Sequence, residues 1–362
     1  MRVFIAEKPE VAKAIAEALG GGKRTATHFE CGNDLVTWCY GHLLELCEPE
    51  EYDAKYAKWD IDDLPIVPIP YKKKVIKDKE TQLKAIISLV KRADVIVNAG
   101  DADAEGQYLV DEILDLCGDL SHKQIKRVFI NDNNIDAVQK VLSNLKDNSD
   151  YHFLRESAEA RAVGDFFYGI NLSRLYTIKA QEAGAQDFYT VGRVQTPVLG
   201  LVVPDSAKYP DMTALWHQQF QEIELGVLSK DDLIESVISF IKNEVEEVKS
   251  KGLNLSHIRA YKCPKCGAAL SQLKGKNGIF WACNAYKTTG CDSRFPDKNN
   301  MPDFSYVKPE VSPYKCLICG CGLIRRKSLK NPKLFFWSCS NYPKCKTIYP
   351  DAMGKPNFNQ KS

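Results

Sequence analysis

The chain has 362 residues and a net charge of only +2, from 49 Lys and Arg against 47 Asp and Glu. That length is enough for two or three domains. With no run of 18 apolar residues and no signal-peptide layout at residues 1–7, it predicts a soluble cytoplasmic chain without a membrane helix. The charge is unevenly divided: residues 251–362 hold 20 Lys and Arg against 5 Asp and Glu, a local +15, which leaves −13 on the first 250. A basic tail on an acidic body predicts a polyanion partner, most simply nucleic acid.

In chain order, residues 1–6 form a short β-type run ending at Glu7-Lys8-Pro9, and Val11, Ile15 and Leu19 mark a helix stopped by Gly20-Gly21-Gly22. Glu7 and Lys8 then either sit at the exit of a first strand or simply begin the helix, with Pro9 in its first turn. Residues 35–46 read as a strand turning at Gly41-His42. His42 is read as a structural histidine or as a phosphate or base contact, and the sequence leaves both open. Tyr52, Tyr56 and Trp59 precede a Pro-rich stretch at 64–71; such aromatics stack on bases or pack on their own domain. A helix over 81–92 leads into the stretch that organises the rest.

That stretch is 95–107, V-I-V-N-A-G-D-A-D-A-E-G-Q. A β-branched run breaks at Ala99-Gly100 into Asp101, Asp103 and Glu105, and Gly106 lets the chain turn into an amphipathic run at 108–116. In an open α/β sheet, ligands bind at loops leaving the carboxyl ends of strands. Three carboxylates so close favour a hard cation such as Mg2+; a solvated acidic turn is the competing reading. If this strand runs parallel to the first, Glu7 and Lys8 share its edge. A strand at 127–130 and a helix at 134–145 complete an alternating β/α domain over 1–150.

Residues 151–179 read as helical. At 190–203, Arg193 and Gln195 stand at the mouth of an apolar helix, an arrangement that suits phosphate binding through free N–H groups but also reads as a helix start at Pro197. A polar break at 204–209 precedes acidic helical periodicity over 211–249, predicted to pack on the body. The tail repeats one pattern twice: Cys263, Cys266, Cys283 and Cys291, then Cys316, Cys319, Cys339 and Cys345. Four thiolates in two paired knuckles predict a structural zinc ion per repeat. Cys321 aligns with Ala268 and is excluded as a ligand. Arg325, Arg326, Lys327, Lys330 and Lys333 beside Phe335, Phe336 and Trp337 predict a single-strand-binding surface.

These residues together resemble a bacterial type IA DNA topoisomerase of the topoisomerase III branch. The resemblance rests on F-I-A-E-K-P at 4–9, G-H-L-L-E at 41–45, residues 99–111, I-N-D at 130–132, and the runs 168–174 and 191–203, with the cysteine repeats matching zinc ribbons. It implies an α/β fold with an N-terminal Toprim (Rossmann-like) domain at 1–150. A partial helical topoisomerase core at 151–250 and zinc ribbons at 258–300 and 312–352 would follow. It implies Glu7, Asp101, Asp103 and Glu105 as a catalytic Mg2+ cluster, with Lys8 stabilising charge on the scissile phosphate. Trp59, Arg174, Thr190, Val191, Gly192, Arg193, Val194 and Gln195 would contact single-stranded DNA. The sequence departs from the pattern in carrying Ala104 and Val163 where arginines are usual. No tyrosine in it is followed by x-Arg, the motif of the nucleophile, and the family's middle segment looks deleted after about residue 203. Three readings follow: a type IA topoisomerase by descent, a non-catalytic single-strand-binding protein, or a Toprim nuclease.

Overall fold

Strand β1 (Arg2–Ala6) is buried along almost its whole length because it is central. A computed structural model describes residues 1–185, 187–202, 212–253, 261–275, 278–306, 309–328, 331 and 333–359. It divides into two units, residues 1–260 and 261–362.

In the first unit β1 is followed by α1 (Pro9–Ala18), β2 (Lys23–Arg24), β3 (His28–Cys31) and β4 (Asp34–Trp38). Then come β5 (Leu44–Leu46), β6 (Lys73–Val75), α2 (Glu80–Arg92), β7 (Val95–Ala99), α3 (Ala104–Asp115), β8 (Gln124–Arg127), α4 (Ile135–Leu142) and β9 (Lys146–Asp147). Seven of these strands form one sheet in the order β2-β3-β4-β1-β7-β8-β9. β1 lies parallel to both β4 and β7, and β7 parallel to β8. Alternation sends Val3, Ile5 and Ile96 to one face, under α2 and α3, and Phe4, Ala6 and Val97 to the other, under α1 and α4. Burial on both faces is why these strands read as apolar runs.

Two expected strands are redrawn. The 35–46 run is two strands, because Gly41 turns the chain at φ 71°, a left-handed conformation that favours glycine; β4 stays in the main sheet and β5 pairs with β6. The strand expected at 127–130 lies at 124–127. Arg127 pairs with Asn98 and β7 ends one residue later, so the chain beyond Arg127 has almost no ladder left to join.

Helix α5 (His152–Glu182) is followed by α6 (Gln195–Val202), α7 (Met212–Glu224) and α8 (Lys230–Lys251). α5 packs against α3 and against α7 and α8. Val163, Phe167 and Leu172 share a core with Trp216, Phe220, Leu233, Val237 and Ile241. The expectation that 211–249 packs on the body is met by these contacts. Asn171, buried on α5, pins the Pro-rich stretch by accepting from the Ile66 amide (2.6 Å) and donating to its carbonyl (2.8 Å). Among the described residues no helix is long and apolar enough to cross a membrane.

The second unit holds two four-stranded antiparallel sheets. The first comprises β10 (Leu270–Gly275), β11 (Gly278–Cys283), the short α9 (Tyr286–Thr289), β12 (Arg294–Lys298) and β13 (Met301–Pro302). The second comprises β14 (Leu323–Lys327), β15 (Phe335–Cys339), β16 (Ile348–Ala352) and β17 (Lys355–Pro356). Their registers correspond: Trp281 faces Gln272 and Phe295, and Trp337 faces Arg325 and Tyr349. Each indole is buried and donates to an aspartate, Asp297 or Asp351, at 2.8 Å.

Candidate functional site

The parallel register of β1 and β7 sets Ala6 beside Ala99, so Glu7-Lys8 and the loop after β7 leave one sheet edge side by side. The Lys8 ammonium lies between two carboxylates, 2.6 Å from Asp101 and 3.3 Å from Glu7. Hydrogen bonding to Asp101 first, and to Glu7 second, holds its pKa above the ordinary lysine value. The Asp101 amide donates to Glu7 at 3.3 Å. Asp103 caps α3, accepting from the Gly106 amide at 2.7 Å. Gly106 is itself in the first turn of α3 and not at a turn before it. Its requirement is close approach, since a Cβ there would stand 2.4 Å from the Asp101 backbone.

Glu105 is placed differently. It accepts from His42 Nε2 at 2.7 Å and from Arg161 of α5, and the His42 contact chiefly lowers its pKa. All four acidic residues follow the carboxyl ends of β1 or β7, but Glu105 is turned to His42 and Arg161. Among the described residues, however, the only sets of three or more His, Cys, Asp or Glu ligand atoms within 4.8 Å of one another are cysteines. Magnesium keeps several waters and takes only one or two carboxylates, so the all-oxygen set at this edge fits it without a closed cage.

Arg127 holds the loop in place. Fully buried, it donates to the carbonyls of Gly100 (2.8 Å), Asp101 (2.6 Å), Asn98 and Val128. None of these partners is a carboxylate, and burial lowers its pKa to about 10.

His42 proves to be a junction. Its Nδ1 meets buried Glu112 at 2.8 Å while Nε2 meets Glu105, and these two contacts, Glu105 first, raise its pKa to about 9. The chain of charges continues from Glu112 through Lys73 (3.5 Å) to Glu159 (3.3 Å) and Lys230 (2.9 Å), tying α3, β6, α5 and α8 together. Glu112 is buried, but the His42 and Glu105 side chains are 33% and 42% exposed, so solvent screening cuts the about 3–5 kcal/mol that loss of one partner costs in a fully buried pair. Because Glu112 also keeps Lys73, His42→Ala is expected to lower the unfolding free energy of the first unit by about 2 kcal/mol in urea. A loss below 1 kcal/mol would show the junction to be dispensable.

The expected DNA contacts are brought into one neighbourhood but are largely occupied by the fold. Arg174 is buried, donates to the Tyr56 carbonyl at 2.8 Å and lies over the Trp59 ring at 5.1 Å. Trp59, 37% exposed, meets Phe188 edge-on at 5.5 Å, and Phe188 is 70% exposed; the sequence reading missed this second ring. Arg193, expected to offer a charge to phosphate, forks Asp165 at 2.7 and 2.9 Å beneath Trp216 and Phe220. Val191 is fixed by Ser173 and Gln195 bonds Thr190. Gly192 donates its amide to Thr196, and Val194 is exposed.

In the tail the eight expected cysteines form two groups, Cys263, Cys266, Cys283 and Cys291, and Cys316, Cys319, Cys339 and Cys345. Cross-pairs lie 3.9 and 3.4 Å apart in the first and 3.8 and 3.3 Å in the second. Tetrahedral zinc at about 2.3 Å from each sulfur requires separations of about 3.8 Å, so both groups fit. Cys321 belongs to neither. Of the stacking surface expected in the second repeat one ring is corrected: Trp337 is 5% exposed and forms the core, whereas Phe335 and Phe336 are half-buried; Lys330 lies outside the described residues.

Comparison with known proteins gives three family matches: a Toprim domain at 2–133, a DNA topoisomerase region at 149–209, and a topoisomerase DNA binding C4 zinc finger twice, at 260–300 and 314–353. DNA topoisomerase 3 of Salmonella typhimurium is 44% identical over 236 residues, covering 64% of this chain and 36% of its own. That of Vibrio cholerae is 47% identical over 206 residues (56% and 32%), and that of Pasteurella multocida 38% over 291 (68% and 45%). The chain thus spans 32–45% of the length of these relatives. The two cysteine groups are those of the C4 fingers and fit two structural zinc ions.

Proposed function

We propose that this chain, a Toprim domain joined to part of a DNA topoisomerase core and two topoisomerase C4 zinc fingers, is a topoisomerase III-type protein. It binds single-stranded DNA with the help of Mg2+ and its tail, in the cytoplasm, and supplies no nucleophilic tyrosine of its own. The domain limits taken for it are 1–150, 151–250, 258–300 and 312–352. The observation that carries the reading is Lys8 held between Glu7 and Asp101 at the edge shared by β1 and β7. A cation beside carboxylates at strand ends is what a DNA phosphate and a divalent ion together require.

In this reading Glu7, Asp101 and Asp103 hold the ion through oxygen, with Glu105 completing the set only if it leaves His42 and Arg161. Bound Mg2+ supplies charge neutralisation at the phosphate. Lys8 orients and neutralises a phosphate oxygen, and Arg127 keeps the carbonyls of Gly100 and Asp101 fixed so that the carboxylate stays at the edge. Trp59 and Phe188 offer ring faces to bases, with Arg174 steadying Trp59. Ala104 leaves this edge with one cation fewer than the arginine usual in the family, which favours a metal ion and weakens the hold on phosphate.

Titration with Mg2+ or Mn2+ is expected to shift the backbone amide signals of residues 100–106, and an Asp101→Ala/Asp103→Ala variant is expected to lose the response. An equal response in the variant refutes the metal assignment. Binding of a labelled single strand by the full chain should also fall steeply with salt through counterion release. A salt-independent affinity would remove DNA as the partner.

A further inference from the structure

The two ribbons are repeats, yet only their inner faces are alike. On the outer face of the first, alternation places Leu273, Phe280, Ala282 and Arg294 opposite the side that buries Trp281. The Arg294 guanidinium lies 5.9 Å from the Phe280 ring. With Tyr286 and Lys287 of α9, with Asp292, which Lys265 pairs at 2.9 Å, and with the buried ligands Cys283 and Cys291, these residues line a cleft of about 270 Å³. That falls below the roughly 300–1,000 Å³ of sites for drug-sized ligands and suits a single planar ring system. Tyr286, Lys287 and Arg294 are all exposed.

The second ribbon does not repeat this face. Its register puts Ile348 in the place of Arg294 and Arg326 in the place of Leu273, and Pro343 follows Tyr342 where Lys287 follows Tyr286. Its arginines are committed to its own sheet. Arg326 donates to Ser338 at 2.9 Å; Arg325 forks Asp351 at 2.8 and 2.9 Å and covers Phe335 at 4.2 Å.

We propose that base stacking by the tail resides in the first ribbon, on Phe280 with Arg294 and Lys287 meeting the phosphates, and that the second ribbon contributes diffuse charge without a base site. This rests on the reading that the tail binds single-stranded DNA. Stacking is sequence-tolerant because every base has a π-face, and arginine beside the ring adds to it. The reading from sequence alone favoured the second ribbon because its cations and aromatics cluster there; the structure shows that cluster turned on itself.

The test uses the full zinc-loaded chain and a fluorescent oligothymidylate in anisotropy titrations. Phe280→Ala is expected to weaken binding roughly 5- to 140-fold, the range for loss of one stacked base. Arg294→Ala should lower the salt slope by about 1. Phe336→Ala and Arg326→Ala should stay within about twofold, since in this reading neither is part of a base site. Phe280→Leu keeps the apolar bulk and two zinc ions per chain, and should show the same loss. Equal losses from both ribbons, a larger loss from Phe336→Ala, or full affinity in Phe280→Leu would overturn the proposal. Failure of the unaltered chain to bind the oligonucleotide would instead refute the parent reading.

Discussion

Removing zinc is expected to unfold residues 261–359 while residues 1–253 stay folded. The buried apolar centre of the first ribbon is Leu270 and Trp281 with three cysteines, and that of the second is Leu323, Trp337 and Tyr349 with three cysteines. Modules this small need a staple, and apparent zinc affinity in such fingers is about 10–16 kcal/mol of folding free energy. The metal-free thiols are poised unequally. Burial chiefly pushes Cys283 and Cys339 up to about 12, while the Ser293 hydroxyl draws Cys291 down to about 6. Zinc must displace the protons of the high-pKa members, so affinity falls as pH falls. Elemental analysis should give close to two zinc per chain, and Cys283→Ser or Cys339→Ser close to one. After chelation, a protease should trim the tail and leave the first unit. Zinc near zero in untreated protein with freely reactive thiols, or a tail still protected without metal, would remove the assignment.

How far the site was legible depended on how local its signals are. The apolar runs of β1 and β7, and the acidic and Glu-Lys ends that follow them, are local signals, so the sequence points to a shared edge on condition that the strands are parallel, and their pairing meets that condition. The cysteine spacing is equally local. His42 was not readable as a junction, because its partners lie 63 and 70 residues away. A partial signal existed: Glu105 and Glu112 are seven apart, two turns along one helix face, which asks for a cation opposite. Arg174 is a DNA contact implied by the resemblance and Arg193 a phosphate contact suggested by its place at a helix mouth; only the fold shows Tyr56 and Trp59 taking the first and Asp165 the second. The burial of Trp337 is itself written in the strand period. In a strand, Phe336 and Trp337 must face opposite sides, and Trp337 is on the side of the ligand Cys339, which is the core.

No tyrosine-linked adduct is expected when the chain is incubated with Mg2+ and labelled single-stranded DNA and then denatured. Cleavage by this route needs a tyrosine oxygen in line with a phosphate, and an error of about 1 Å can cost ~100-fold. The tyrosines on α5 are spoken for. Tyr168 is buried edge-on to Trp216 and stacked on Phe240, and Tyr176 donates to Glu244 at 2.5 Å. Tyr71 donates to Glu159, and Tyr108 is buried with its pKa driven up by that burial. Tyr189 is held by its backbone to Thr177 at 2.9 Å, and Tyr209 lies outside the described residues. Tyr40 is different: it leaves β4 at the edge where Cys39 bonds Ala6 (2.8 Å), and it is 51% exposed. It is followed by Gly41-His42; His42 is committed to two glutamates, and the Lys79 ammonium beside it donates to the Tyr40 and His42 carbonyls at 2.7 and 2.8 Å, so neither of these basic groups is placed to activate its hydroxyl. The experiment should therefore include Tyr40→Phe beside the unaltered chain. Both are expected to give no adduct and to leave negatively supercoiled plasmid unrelaxed. An adduct from the unaltered chain that Tyr40→Phe abolishes would make Tyr40 the nucleophile. One that survives that change would send the search to Tyr189 and Tyr209, and either result would make the chain a working strand-cleaving enzyme.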